Sequence, residues 1–142
     1  MMDYKQYDIV IGIDPGVKTG LASWENKKKE LLHVVTLQHH QAIAVVDSFV
    51  KLGNKVLVRF EDARLRKFFG KTGREVLQGA GSVKRDSQLW EEWCIANNID
   101  FENVAPKNNK TKMDSDTFKK YTKWDKQTNE HGRDAAWLAY GL

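Results

Sequence analysis

The sequence predicts an α/β fold: a mixed five-stranded sheet, three antiparallel strands then two parallel ones, with helices on both faces. Three observations carry this expectation. A β-branched apolar run over 9–13 stops at Asp14-Pro15-Gly16, and two further strand-like runs follow at once. Beyond them, segments with apolar residues at helical spacing alternate with short strand-like segments. No internal repeat or low-complexity linker breaks the order, so residues 1–142 read as a single domain around one core.

Each element has a local reason. Pro15 cannot donate to a sheet ladder and Gly16 permits a tight turn, so the first strand ends there. Gly20 to Glu25 and Leu31 to Gln38 read as the second and third strands, joined by the polar turn Asn26 to Lys29. From His39 to Leu52, Ile43, Val46, Phe49 and Val50 recur at helical spacing, and Gly53-Asn54 stops the helix. Lys55 to Glu61 alternates as a strand does, with Val56, Val58 and Phe60 on one face and Leu57, Arg59 and Glu61 on the other. A basic loop, Arg64 to Lys71, leads into a long helix from Gly73 to Asn97, weakened at its start by Gly79 and Gly81. Ile99 to Val104 is the fifth strand. A polar loop from Lys107 to Met113 precedes a short helix, Asp114 to Lys123, and the last helix starts near Gly132. A meander followed by right-handed crossovers makes the first and fourth strands parallel neighbours.

Composition narrows the function classes. No apolar run approaches the roughly 20 residues of a membrane span, and the N-terminus lacks the basic-then-apolar pattern of a signal peptide. The single cysteine, Cys94, rules out an internal disulfide framework and a multi-cysteine zinc site, which makes a cytoplasmic setting the expectation. Net charge is +4, so its distribution matters more than its total. Arg59, Arg64, Arg66, Lys67, Lys71 and Arg74 face only Glu61 and Asp62 in their stretch. Lys107, Lys110, Lys112, Lys119, Lys120, Lys123 and Lys126 outnumber Asp114, Asp116 and Asp125 in theirs. Such local excesses suit a polyanion, whose counterions are released on binding, and suit a solvated lysine-rich surface equally well.

The carboxylates carry the chemistry. Asp14 ends the first strand and Glu61 the fourth; if these are parallel neighbours, both acids emerge at the edge where open α/β sheets bind ligands. Asp134 falls in the first turn of the last helix, whose small residues Ala135, Ala136 and Ala139 let it lie close on the sheet. His131, three residues earlier, shares its side of the helix. Taken singly, an Asp before Pro-Gly is a turn residue and an Asp in a first turn answers the helix dipole. Together they suit hard divalent cations, Mg²⁺ or Mn²⁺, two per active site, for phosphodiester hydrolysis.

Three segments resemble a known family. Ile11 to Ala22 (IGIDPGVKTGLA) is similar to the opening strand and turn of RuvC-type Holliday-junction resolvases, within the ribonuclease H-like superfamily. Val58 to Arg64 (VRFEDAR) resembles the segment bearing that family's second acid, and His131 to Leu142 (HGRDAAWLAYGL) its closing helix with a terminal catalytic aspartate. The resemblance implies a ribonuclease H-like fold and a homodimeric, metal-dependent endonuclease acting in DNA recombination and repair. It would nick four-way junctions symmetrically, using Asp14, Glu61, His131 and Asp134 as catalytic and metal-binding residues. His131 departs from the pattern, since many members carry aspartate there, although some use histidine. The short chain resembles phage or prophage versions, which implies a bacterial cytoplasm or an infected host cell.

The same resemblance places DNA beside the basic loops. Arg64, Arg66, Lys67, Lys71 and Arg74 after the second acid, and Lys107, Lys110 and Lys112 after the fifth strand, are the expected phosphate contacts. Phe68 and Phe69 either stack on bases near the branch point or anchor the following helix. The long helix, with Trp90 and Trp93, is the expected dimer interface unless those tryptophans are core. Two alternatives stay open: a less selective branched or flap DNA nuclease of the same fold, and a DNA-binding module without catalysis. An actin-like phosphotransferase needs two related domains, more than 142 residues supply.

Overall fold

Five strands pair in the order β3-β2-β1-β4-β5: β1 (Ile9–Asp14), β2 (Lys18–Glu25), β3 (Glu30–Gln38), β4 (Val56–Glu61) and β5 (Asp100–Val104). The computed structural model describes residues 2–65, 74–106 and 113–142; side chains 74–80 and 83 lie outside the described set. β2 runs antiparallel to both β1 and β3, whereas β1, β4 and β5 are mutually parallel. The expected mixed sheet is therefore present, with β1 at its centre. Among the described residues four α-helices flank it: α1 (His39–Lys51), α2 (Arg74–Ala96), α3 (Ser115–Thr122) and α4 (Glu130–Ala139). Among the described residues no helix is long and apolar enough to cross a membrane.

The central strands are buried on both faces, which explains their nearly continuous apolar sequence. Ile9, Ile11 and Ile13 of β1 join Val56, Val58 and Phe60 of β4 on one face, packed with Ala42 and Val46 of α1 and Trp90 and Cys94 of α2. On the other face, Val10 and Leu57 meet Ala139 of α4, and Ala22 and Val34 meet Phe118, Ala135 and Ala136. Each large apolar side chain so removed from water contributes about 1.5–3 kcal/mol. Trp90 is fully buried in this core and Trp93 packs against it, so of the two readings of these tryptophans the core one holds.

Most element ends match their sequence signals within two residues, and one difference bears on function. α4 begins at Glu130, not near Gly132, because Asn129 caps it: the Asn129 Oδ1 accepts the Gly132 N–H at 3.1 Å. His131 thus lies inside the helix, and Asp134 lies in its second turn rather than its first. Asn129 also accepts a hydrogen bond from the Thr36 hydroxyl of β3, which ties the start of α4 to the sheet.

Candidate active site

Parallel pairing of β1 with β4 sets the first two acids side by side. Ile13 is in register with Phe60, so the next residues along, Asp14 and Glu61, are neighbours at the carboxyl edge of the sheet. Adjacent strands are about 4.8 Å apart, and residues in register project from the same face. That face is the one α4 covers, since Gly12 and Arg59, two residues back, both meet α4: the Arg59 Nη1 donates to the Leu138 carbonyl at 2.6 Å.

Two glycines let α4 come down onto this edge. A Cβ on Gly12 would lie 2.0 Å from the Ala135 carbonyl oxygen, and one on Gly20 would lie 2.0 Å from the His131 carbonyl oxygen. Both obstructions are helix backbone, so no rotamer change relieves them. Gly20 is the residue paired with Asp14 across β1 and β2, so the helix rests directly beside the first acid. The contact brings the His131 Nδ1 within 3.2 Å of the Asp14 Oδ2. The small face of α4 was legible in the sequence; its glycine counterpart showed only as glycines inside strand runs, a sign of close backbone approach.

The electrostatics fit a gathered acid cluster. Burial, followed by the charges of Glu61 and Asp134, raises the Asp14 carboxyl above its ordinary value, while the His131 hydrogen bond lowers it. With Asp14 ionised, its carboxylate only accepts, and the His131 Nδ1–H is then the donor of this hydrogen bond. Asp14 is 20% exposed and His131 48% exposed, so the pair is open to solvent. Among the described residues no three His, Cys, Asp or Glu side chains stand ready to hold one ion. Glu61 and Asp134 are near enough to Asp14 for their charges to oppose its ionisation, a repulsion that bound positive charge would relieve.

The basic residues divide differently. Arg66, Lys67, Phe68, Phe69, Lys71, Lys107, Lys110 and Lys112 lie outside the described residues, as does the side chain of Arg74. Arg64, expected to meet phosphate, turns inward: its Nη2 is 2.6 Å from the Asp62 Oδ2 and its Nη1 is 3.2 Å from the Glu91 Oε2. Its positive charge is matched within the protein. Sequence reading missed Asp62, whose burial to 1% exposure nothing in the local pattern announces.

No family model and no curated protein sequence matches the chain. Among solved structures it is similar to Thermus thermophilus RuvC in complex with a Holliday junction substrate. That match has 17% sequence identity and a TM-score of 0.54, and it covers 92% of this chain and 90% of the other. The chain thus shares the fold of that RuvC, as the sequence motifs implied.

Proposed function

We propose that this protein is a metal-dependent endonuclease that resolves Holliday junctions by symmetric phosphodiester hydrolysis in branched DNA. The observation that carries the reading is the meeting of Asp14, Glu61, His131 and Asp134 at one sheet edge, on a fold shared with a junction-bound RuvC. Asp14, Glu61 and Asp134, with His131, would hold Mg²⁺ or Mn²⁺, two per site. Bound there, the cations would offset charge building on the phosphoryl oxygens and lower the pKa of a water. The His131 ring, oriented through Nδ1 by Asp14, has one free lone pair, at Nε2: it serves either to ligate a metal or, where it holds no cation, to take the proton that the attacking water loses as its oxygen bonds to phosphorus. The deoxyribose oxygen leaves as the opposite P–O bond breaks, and a solvent proton neutralises it.

The basic segment 64–74 follows Glu61 and the basic segment 107–112 follows β5 in sequence, which supports Arg66, Lys67, Lys71, Arg74, Lys107, Lys110 and Lys112 as phosphate contacts, with Phe68 and Phe69 as base-stacking candidates. A four-way junction offers two symmetric cut sites, which a twofold dimer would match. With Trp90 in the core, Leu89 and Ile95 are the exposed large apolar residues among the described side chains of α2, and a second copy could cover them. These features favour an intracellular, DNA-processing role in recombination and repair.

The test is incubation with synthetic four-way, three-way and linear DNA in Mg²⁺, in Mn²⁺ and in chelator. Paired symmetric nicks in the four-way junction alone, abolished by chelator, are expected. Cutting of every branched form would make it a less selective branched or flap nuclease. Binding without cutting under any metal would make it a DNA-binding module. Asp14→Asn should abolish cutting and leave junction binding intact.

A further inference from the structure

Directly after Glu61 the chain holds a second set of charged groups that hydrolysis does not use. Asp62 is 1% exposed and turns toward α2, away from the acid cluster. Its Oδ1 accepts the Arg64 backbone N–H at 3.0 Å and Nε at 2.9 Å; its Oδ2 accepts Arg64 Nη2 at 2.6 Å and Asn103 Nδ2 at 2.7 Å. Arg64 then reaches Glu91 at 3.2 Å, and Asn103 reaches it at 3.1 Å. Asp62, Arg64, Glu91 and Asn103 so form a closed ring that joins the end of β4, the turn Ala63–Leu65, α2 and β5.

A fifth residue extends the ring to the main chain. Ser87 of α2, fully buried, donates to the Glu61 carbonyl at 3.3 Å, and its Oγ lies 3.4 Å from the Ala63 N–H. The Asp62 N–H donates to the Val104 carbonyl at 2.8 Å, which continues the ladder to β5. The peptide groups on both sides of Asp62 are therefore fixed to α2 and β5. Glu61 sits at the end of this fixed segment, and its side-chain origin can move only if the segment moves.

We propose that Asp62 is a positioning residue, acting with Arg64, Glu91 and Asn103 to hold the backbone from which Glu61 faces Asp14. The proposal rests on reading Glu61 as an active-site acid. It assigns Arg64 to the scaffold rather than to phosphate: contact with DNA would require it to leave two carboxylates, one of them buried. Displacement of a reacting group by about 1 Å lowers rates by about 10²-fold, so a ring that never touches substrate can still set the rate.

The test compares the wild type with Asp62→Asn, Arg64→Lys and Glu91→Gln. Lysine keeps the charge of Arg64 but loses its planar fork, and glutamine in place of Glu91 keeps its shape while removing its charge. Expected for Asp62→Asn and Arg64→Lys is a fall in kcat for junction cutting of roughly 10–10²-fold, with KM and junction affinity within about 2-fold of wild type. Amide hydrogen exchange should accelerate over 61–63 and stay unchanged in β2. Glu91→Gln should show a smaller change of the same kind. Variants that fold cooperatively and cut at the wild-type kcat overturn the proposal, as does loss of cutting without faster exchange over 61–63. Should Asp62→Asn not fold, Arg64→Lys and Glu91→Gln, altered at partly exposed side chains, decide by the same readings. If the wild type cuts no DNA, the enzyme reading fails on its own, and exchange over 61–63 in Arg64→Lys still supports or overturns the ring's hold on that segment.

Discussion

Gly20→Ala tests whether close approach of α4 assembles the site. The new Cβ would lie 2.0 Å from the His131 carbonyl oxygen and 2.5 Å from the His131 carbonyl carbon, and ordinary contact begins at 3.4 Å. The start of α4 must therefore retreat by about 1.4 Å, the difference between 3.4 and 2.0. Asp134 and His131 ride on that turn, so they withdraw from Asp14 and Glu61 together. Overpacking of this kind costs about 1–3 kcal/mol, which corresponds to a fall in Tm of roughly 3–12 °C for a chain of this size. The larger effect is on rate: displacing reacting groups by about 1 Å costs about 10²-fold. Single-turnover nicking of a four-way junction should fall by about that factor while the protein still melts cooperatively. Gly81→Ala is the control, since a Cβ there meets nothing within 4 Å. It should stabilise α2 by up to about 1 kcal/mol and leave cutting alone. A Gly20→Ala protein with wild-type Tm and wild-type cutting would refute the reasoning.

Other perturbations read single features of the same site. The Asp14 carboxyl is raised in the folded state, so its stabilising contribution is present below the unfolded value of 3.8 and is lost as pH rises through the folded value. Metal-free Asp14→Asn should therefore melt above the wild type at pH 7, the gap closing as pH falls below that value; an equal gap at all pH values would show that charge is not its source. His131→Ala removes a half-exposed ring whose hydrogen bond to Asp14 is 3.2 Å long, so stability should change by less than about 0.5 kcal/mol. Cutting by the same variant should fall by about 10²-fold or more, and cutting at the wild-type rate would remove the imidazole from the chemistry. Lys110→Ala should weaken binding to junctions of different sequence alike and reduce the salt slope by about 1, as filter binding across salt concentrations would report. An unchanged slope would place Lys110 away from phosphate.

The features legible in the sequence share a physical origin, a repeating local cause. Strand alternation in Val56 to Glu61 and the Pro-Gly stop after Asp14 depend on neighbours in the chain, and the structure follows them. Parallel pairing of β1 and β4 followed from the crossover rule, and it alone placed Asp14 beside Glu61. The Asn129 cap was present in the sequence but competed with Gly132, which reads as a break; the observed bond from the Gly132 N–H to Asn129 makes that glycine part of the first turn instead. Arg64 shows the opposite limit. Its basic surroundings point to phosphate, whereas its partners Asp62 and Glu91 are 2 and 27 residues away. The more distant one is supplied by a helix whose face no local pattern specifies.

The two faces of β4 give neighbouring acids opposite surroundings. Glu61 lies on the face covered by α4, where Gly12 and Gly20 admit a helix bearing His131 and Asp134. Asp62, one residue on, lies under α2, where burial pushes its carboxyl up but hydrogen bonds from Arg64 and Asn103 outweigh that and hold it below its ordinary value. A carboxylate held charged by fixed internal donors is satisfied and gains little from a cation. Asp14, by contrast, is raised by burial and by the charges of Glu61 and Asp134, and bound positive charge would lower the free energy of its ionised form. Residue type alone cannot separate Glu61 from Asp62, because both are acids beside each other in the chain. Their surroundings do: Asp62 is held by Arg64 and Asn103 under α2, whereas Glu61 stands beside Asp14 at the sheet edge, the difference on which the proposed roles of both acids rest.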